Sequence, residues 1–442
     1  MPKITRLRGL EILDSRGRPT VKATCELEGG ARASASVPSG ASTGAAEALE
    51  LRDGDRDRYG GLGCRKAAAT VGGALNDALS GRSIDSQEDL DRTMVELDGT
   101  PNKSRLGANA ILAVSVAFAR ARATERGVEF YQHLADLAQR IPDTLPRPTI
   151  NLFSGGKHAG GQIPIQDTLV VPLSAATMDE ALAATHAVYG AAVRLSAERY
   201  GTRPLTADEG GLAPPFAGAE EMLGTAVDAV ELAGFEPGRD VALTLDVASS
   251  HFYRGGRYHL GGEPLDSAGM VERVSSWVDG YPIVSVEDGL SEGDWENWPT
   301  LRGRISGRAL TLGDDLLCTN PERIRRAVKS GAADALLLKV NQVGTLTEAA
   351  EALGLARDAG WAVTVSARSG ETEDDWLADL AVGWGGDQVK IGSITQSERL
   401  AKYNRLLEIE AETNLPLADW PTLVPTRAAP EGTPASKGGR VG

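Results

Sequence analysis

Ile283-Val284-Ser285-Val286-Glu287, a short apolar run that stops on a carboxylate, decides the fold. It is one of a series. Ala242 to Leu245 stops on Asp246, Ala309 to Leu312 runs into Asp314, and Ala335 to Leu338 stops on Lys339. Ala362 to Val365 leads to Arg368, and Gln388-Val389 stops on Lys390; an earlier run, Leu169-Val170-Val171, follows Gln166-Asp167. From position 246 onward the spacing is mostly about 23 to 30 residues, the length of one strand, one helix and two loops. That repeat predicts a parallel (β/α) barrel, in which the carboxyl ends of the strands surround one mouth and active sites are built there.

The residues that end the runs carry the chemistry. A buried ionisable group is costly unless it is paired or metal-bound. One such residue is readily explained as a strand cap paired with the following helix. Three carboxylates (Asp246, Glu287, Asp314) beside three cations (Lys339, Arg368, Lys390), each closing a different strand, are hard to explain as packing. Three acidic oxygen donors without a cysteine cluster favour a hard cation, magnesium first, and argue against zinc. A lysine set among metal ions and a second lysine is expected to have a depressed pKa and to serve as a base.

Before the barrel repeat lies a different unit. Ile4 to Leu13 and Thr20 to Leu27 alternate as strands around a turn at Asp14-Ser15-Arg16-Gly17. The small-residue loop Pro38 to Gly44 follows, and the clearest helical pattern runs over 108–126. The expected organisation is an α+β capping domain over 1–138, a barrel over 139–420, and a disordered tail over 421–442 that is rich in Pro, Gly, Ala and Lys.

Composition narrows the partners. The 442-residue chain carries a formal net charge of -15, which argues against nucleic acid or an anionic membrane as the main partner. No stretch reaches the roughly 20 apolar residues of a membrane span, and none near the start resembles a signal peptide. Cys25, Cys64 and Cys318 are scattered and odd in number, as expected of a reducing, cytoplasmic setting.

The ordered set Ile12 to Val21, Pro38 to Gly44, Glu50 to Asp55, Gly107 to Leu112 and Asp208 to Gly211 resembles enolases. So do Ser285 to Leu290, Gly313 to Leu316, Lys339 to Gln342, Arg368 to Asp374 and Ala401 to Asn404. The resemblance runs from about position 4 to about 410. It implies an enolase-type (β/α)8 barrel that opens ββαα, an N-terminal α+β cap, and a homodimer or larger assembly. It also implies two magnesium ions, the first on Asp246, Glu287 and Asp314 and the second helped by Ser42. Lys339 would remove a proton alpha to a carboxylate, Lys390 would contact that carboxylate, and Glu209 would help the hydroxide leave. Arg368 and Ser369 would grip the phosphate, with His158 and Gln166 beside the substrate. The implied substrate is a small phosphorylated or phosphonylated carboxylic acid.

Two departures fall in the site. Enolases usually have Gln-Glu where this chain has Gln166-Asp167, and Ser-His-Arg-Ser where it has Ser366-Ala367-Arg368-Ser369. Both lie towards the hydroxide-leaving side. Gly160-Gly161, His251, Trp376 and Trp384 are smaller departures. A specialised paralogue is therefore expected, such as a carboxyphosphonoenolpyruvate synthase of phosphinothricin-type phosphonate pathways, with space at Ala367 for a larger group. A true enolase carrying neutral changes, a muconate- or mandelate-type relative and a non-catalytic scaffold remain as alternatives.

Overall fold

A computed structural model describes residues 2–41, 44–201 and 205–421. The N-terminal unit is built on a three-stranded antiparallel sheet, β1 (Ile4–Leu13), β2 (Pro19–Leu27) and β3 (Arg32–Ser36). The β1–β2 turn is held by Asp14, whose Oδ1 accepts from the backbone N–H groups of Arg16 and Arg18, while Gly17 takes a φ of 69°. The helix Ala108–Arg126 forms where the pattern placed it and packs on β2 and β3.

The barrel strands are β4 (Arg147–Ser154), β5 (Asp167–Pro172) and β6 (Val241–Asp246), then, after a small hairpin of β7 (Tyr253–Arg254) and β8 (Arg257–Tyr258), β9 (Ile283–Glu287). β10 (Leu310–Gly313), β11 (Ala335–Leu338), β12 (Ala362–Ser366) and β13 (Gln388–Gly392) complete it. They close in the order β10-β11-β12-β13-β4-β5-β6-β9. β5 runs antiparallel to both of its neighbours, and the helices Met178–Tyr200 and Ala219–Leu232 follow each other before β6, giving the ββαα opening. This reversal delivers the start of β5 to the mouth, so that Asp167 is paired in register with Asp246, the end of β6.

One strand escaped the sequence reading. β4 is buried along its whole length, but Arg147, Thr149 and Asn151 interrupt its apolar character. Arg147 is satisfied internally, by the carbonyls of Ala418, Pro172 and Ala175. The base of the barrel is closed by Trp420, which packs on Leu310, Leu312, Ala335, Leu337 and Ala362. Of the expected tail, residues 422–442 lie outside the described residues.

Several contacts bind the cap to the barrel mouth. Ser39 and Gly370 exchange backbone hydrogen bonds at 2.8 and 3.0 Å. Arg120 pairs with Asp374 and Asp375. The indoles of Trp376 and Trp384 donate to the carbonyls of Ser36 and Leu134, which gives these two departures a place in domain contact, away from the substrate chemistry.

Candidate active site

The parallel strands from β6 onward turn their carboxyl ends to one mouth and position the functional side chains there, and the reversed β5 brings its start, Asp167, to the same mouth. Lys390, within β13, crosses the mouth. Its Nζ donates to Asp246 Oδ2 at 2.8 Å and to Glu287 Oε2 at 2.6 Å. Lys339, just after β11, donates to Asp314 Oδ2 at 2.5 Å, and Gln342 donates to the other Asp314 oxygen at 2.8 Å. Gln166 Nε2 donates to Asp246 Oδ2 at 3.0 Å. All of these residues are buried. The predicted carboxylates and lysines therefore converge, as alternating opposite charges.

Burial works to raise the Asp246 carboxyl, but the Lys390 ammonium outweighs it and holds the group at about 2. Glu287 is raised well above the usual range, by burial first and then by Asp246. Lys390 itself is raised, since the carboxylates around it more than offset its burial. The expected depression of Lys339 is not what the protein alone produces: burial lowers it, yet contact with Asp314 leaves it raised.

The donor set suits a hard divalent ion. All three carboxylates are present at the mouth, and the buried oxygens Glu287 Oε1 and Gln166 Oε1 have no partner among the described residues. Their spacing is not that of a closed cage. Among the described residues, the sets of three possible ligands whose donor atoms lie within 4.8 Å of one another are Asp288, Asp314 and Asp315, and His158, Asp167 and Glu209. Asp246 and Glu287 are instead bridged by Lys390. Ser42, the expected helper for a second ion, lies outside the described residues.

The opposite wall holds the predicted leaving-group side. His158 Nδ1 is 2.8 Å from Asp167 Oδ2, and its Nε2 is 3.7 Å from Glu209 Oε1. Asp167 Oδ1 accepts from Ser154 Oγ at 2.5 Å, and Glu209 Oε2 accepts from Asn151 Nδ2 at 3.1 Å. Burial alone would lower His158, but Asp167 and Glu209 raise it to about 9. Glu209 is lowered: burial opposes this, and His158, Arg399 and the two lysines outweigh it. Ala367 is buried, and with His158, Gln166, Glu209, Lys339 and Lys390 it lines one small cavity at the mouth.

Asp246, Ser366, Arg368 and Ser369 complete that lining. Arg368 donates to Glu47 at 3.0 and 3.2 Å and to Asn341 Oδ1 at 2.9 Å. Ser369 Oγ accepts from Arg16 and from the backbone N–H of Ala41. Glu47, Asn341, Asn151, Ser154 and Arg16 were not singled out from sequence. Glu47 and Arg16 come from the cap, far away in the chain; Asn341 and Arg16 stand in quoted motifs, which was their only signal. His251, near Asp246, is half-buried, with Nδ1 unpartnered among the described residues, and is lowered to about 4, by burial first and then by Lys157.

A closed eight-stranded barrel with an α+β cap, a mouth of acids and lysines, and an arginine beside them defines a barrel enzyme with a polar, charged site at the strand ends. Two family descriptions match the chain: "Enolase, N-terminal domain" over residues 4–134 and "Enolase, C-terminal TIM barrel domain" over 142–416. The chain belongs to the enolase family and is an enolase-family lyase. That family is magnesium-dependent and acts on small phosphorylated acids. Among the described residues no helix is long and apolar enough to cross a membrane.

Proposed function

We propose that this enzyme removes the proton alpha to the carboxylate of a 2-phosphoglycerate- or phosphoenolpyruvate-like substrate, and that it is a specialised paralogue of the carboxyphosphonoenolpyruvate synthase kind. The observation that carries this reading is the state of Asp167. Both of its oxygens are engaged, by Ser154 and His158, at the wall where Ala367 replaces a ring. Enolate formation keeps its groups, and hydroxide expulsion has two of its positions altered, one carboxylate shortened and one ring absent.

Asp246, Glu287 and Asp314 would hold the first magnesium ion, with Ser42 serving a second. Bound magnesium supplies stabilisation for the second negative charge that develops on the substrate carboxylate. Enolase-superfamily enzymes are a known case of a lysine or histidine base working with one or two such ions. Lys339 takes the proton from C2. Lys390, pointing between Asp246 and Glu287, orients the carboxylate. Arg368 and Ser369 hold the phosphate or phosphonate, and Glu209 gives a proton to the C3 hydroxyl where that group leaves as water. The three unbonded, buried cysteines fit a reducing, cytoplasmic setting. Assembly as a homodimer or larger is part of the same reading.

True enolase activity is the second reading. The position of Glu209, fixed by Asn151 and close to His158, favours it. The assay that separates the two follows phosphoenolpyruvate formed from 2-phosphoglycerate with magnesium, against a chelator control. Turnover on the order of 10 to 100 per second supports the true enolase. Turnover lower by several powers of ten, with consumption of a phosphonate co-substrate, supports the paralogue.

A further inference from the structure

Arg368 does not stand alone in the mouth. Its two terminal nitrogens fork onto the two oxygens of Glu47, at 3.0 and 3.2 Å, with side-chain exposures of 3% and 8%. Such a bidentate, charge-assisted pair fixes the plane of a guanidinium as well as its charge. Glu47 belongs to the cap, whereas Arg368 follows the barrel strand β12. The same carboxylate accepts from the backbone N–H of Gly44 at 3.0 Å and, more weakly, from Gln342 Nε2 at 3.4 Å. Gln342 in turn donates to Asp314, the partner of Lys339. One glutamate thus joins the anion-gripping arginine to the carboxylate that contacts the base.

We propose that Glu47 is a positioning residue for anion capture: it sets the plane of Arg368 and, through Gln342, keeps that plane in register with the Asp314–Lys339 pair. This rests on the reading of Arg368 as the phosphate grip. A dianion arriving at Arg368 meets a guanidinium already compensated by Glu47, so affinity is traded for orientation. Glu47→Gln keeps the size and one acceptor but removes the opposing charge. Asn341 still retains the arginine in the mouth.

The test is calorimetric binding of inorganic phosphate to the full-length protein with magnesium present, alongside kcat and KM. Glu47→Gln is expected to bind phosphate roughly tenfold more tightly while kcat falls about 10²-fold, the cost of a small misplacement. Glu47→Asp, which keeps the charge but loses reach, is expected to bind phosphate as the wild type does and still to lose kcat. If Glu47→Gln leaves both quantities unchanged, or weakens phosphate binding in step with a lower Tm, Glu47 is only a structural counterion and the proposal fails. If the wild-type protein binds no phosphate, or Arg368→Ala binds it equally well, the reading of Arg368 falls too.

Discussion

His158 and Asp167 form a closed pair: Nδ1 lies 2.8 Å from Oδ2, and the second Asp167 oxygen accepts from Ser154. With Glu209 on the other side of the ring, the imidazole sits between two carboxylates and titrates near 9. The folded value lies above the ordinary 6.5. The stability this histidine contributes is therefore fully present below about pH 6.5 and is lost as pH rises through about 9. Asp167→Asn should move the His158 titration down by at least one unit. With five histidines in the chain, ring resonances followed by NMR against pH can read this. An unmoved His158 titration would show that Asp167 does not hold the proton there.

Asp246 is held ionised against its burial by Lys390, and it is in contact with both Lys390 and Gln166. Magnesium should raise the Tm of the wild-type protein by a few degrees through mass action. In Asp246→Asn most of that rise should vanish, with turnover lost. The variant should also be less stable without magnesium, by about 3 to 5 kcal/mol, because Lys390 loses one buried counterion. A full magnesium shift in the variant would remove Asp246 from the ligand set.

Returning the two departures to the family pattern should restore hydroxide expulsion. Asp167→Glu combined with Ala367→His is expected to increase phosphoenolpyruvate formation by roughly 10²-fold or more, the usual scale of one acid–base group. Steady-state kinetics on the double variant reads this directly. No increase would mean that these positions do not separate the two activities.

Gly370 lies where the cap crosses the barrel mouth. A Cβ there would collide with Asp14 Oδ2 and Arg16 Nη2, and Arg16 donates to Ser369 Oγ at 3.0 Å. Gly370→Ala should displace Arg16 and lower kcat/KM by roughly 10²-fold, while the magnesium-dependent Tm shift survives. Wild-type kinetics in this variant would show that the Arg16–Ser369 contact does not matter to catalysis.

The barrel was legible because its strands from β6 onward are short, apolar and mostly evenly spaced, and because they lead into ionisable residues such as Glu287 or Lys339. β4 was hidden by Arg147 and Asn151, polar residues whose partners lie on other elements. The reversal of β5 came from the family resemblance, since no periodicity encodes strand direction. The grouping of strand-end charges at one mouth was legible, but their pairing was not. That Lys390 would bridge Asp246 and Glu287, or that Glu47 would cross from the cap to Arg368, depends on three-dimensional approach between distant segments.

The most direct measurement follows 2-phosphoglycerate in heavy water with magnesium, reading exchange of the C2 hydrogen and formation of phosphoenolpyruvate in the same sample. If enolate formation is intact and expulsion impaired, exchange should outrun phosphoenolpyruvate formation by at least about tenfold, and Lys339→Ala should slow both by roughly 10² to 10⁴-fold. Phosphoenolpyruvate formed as fast as the C2 hydrogen exchanges, at about 10 to 100 per second, would contradict a site specialised away from hydratase chemistry.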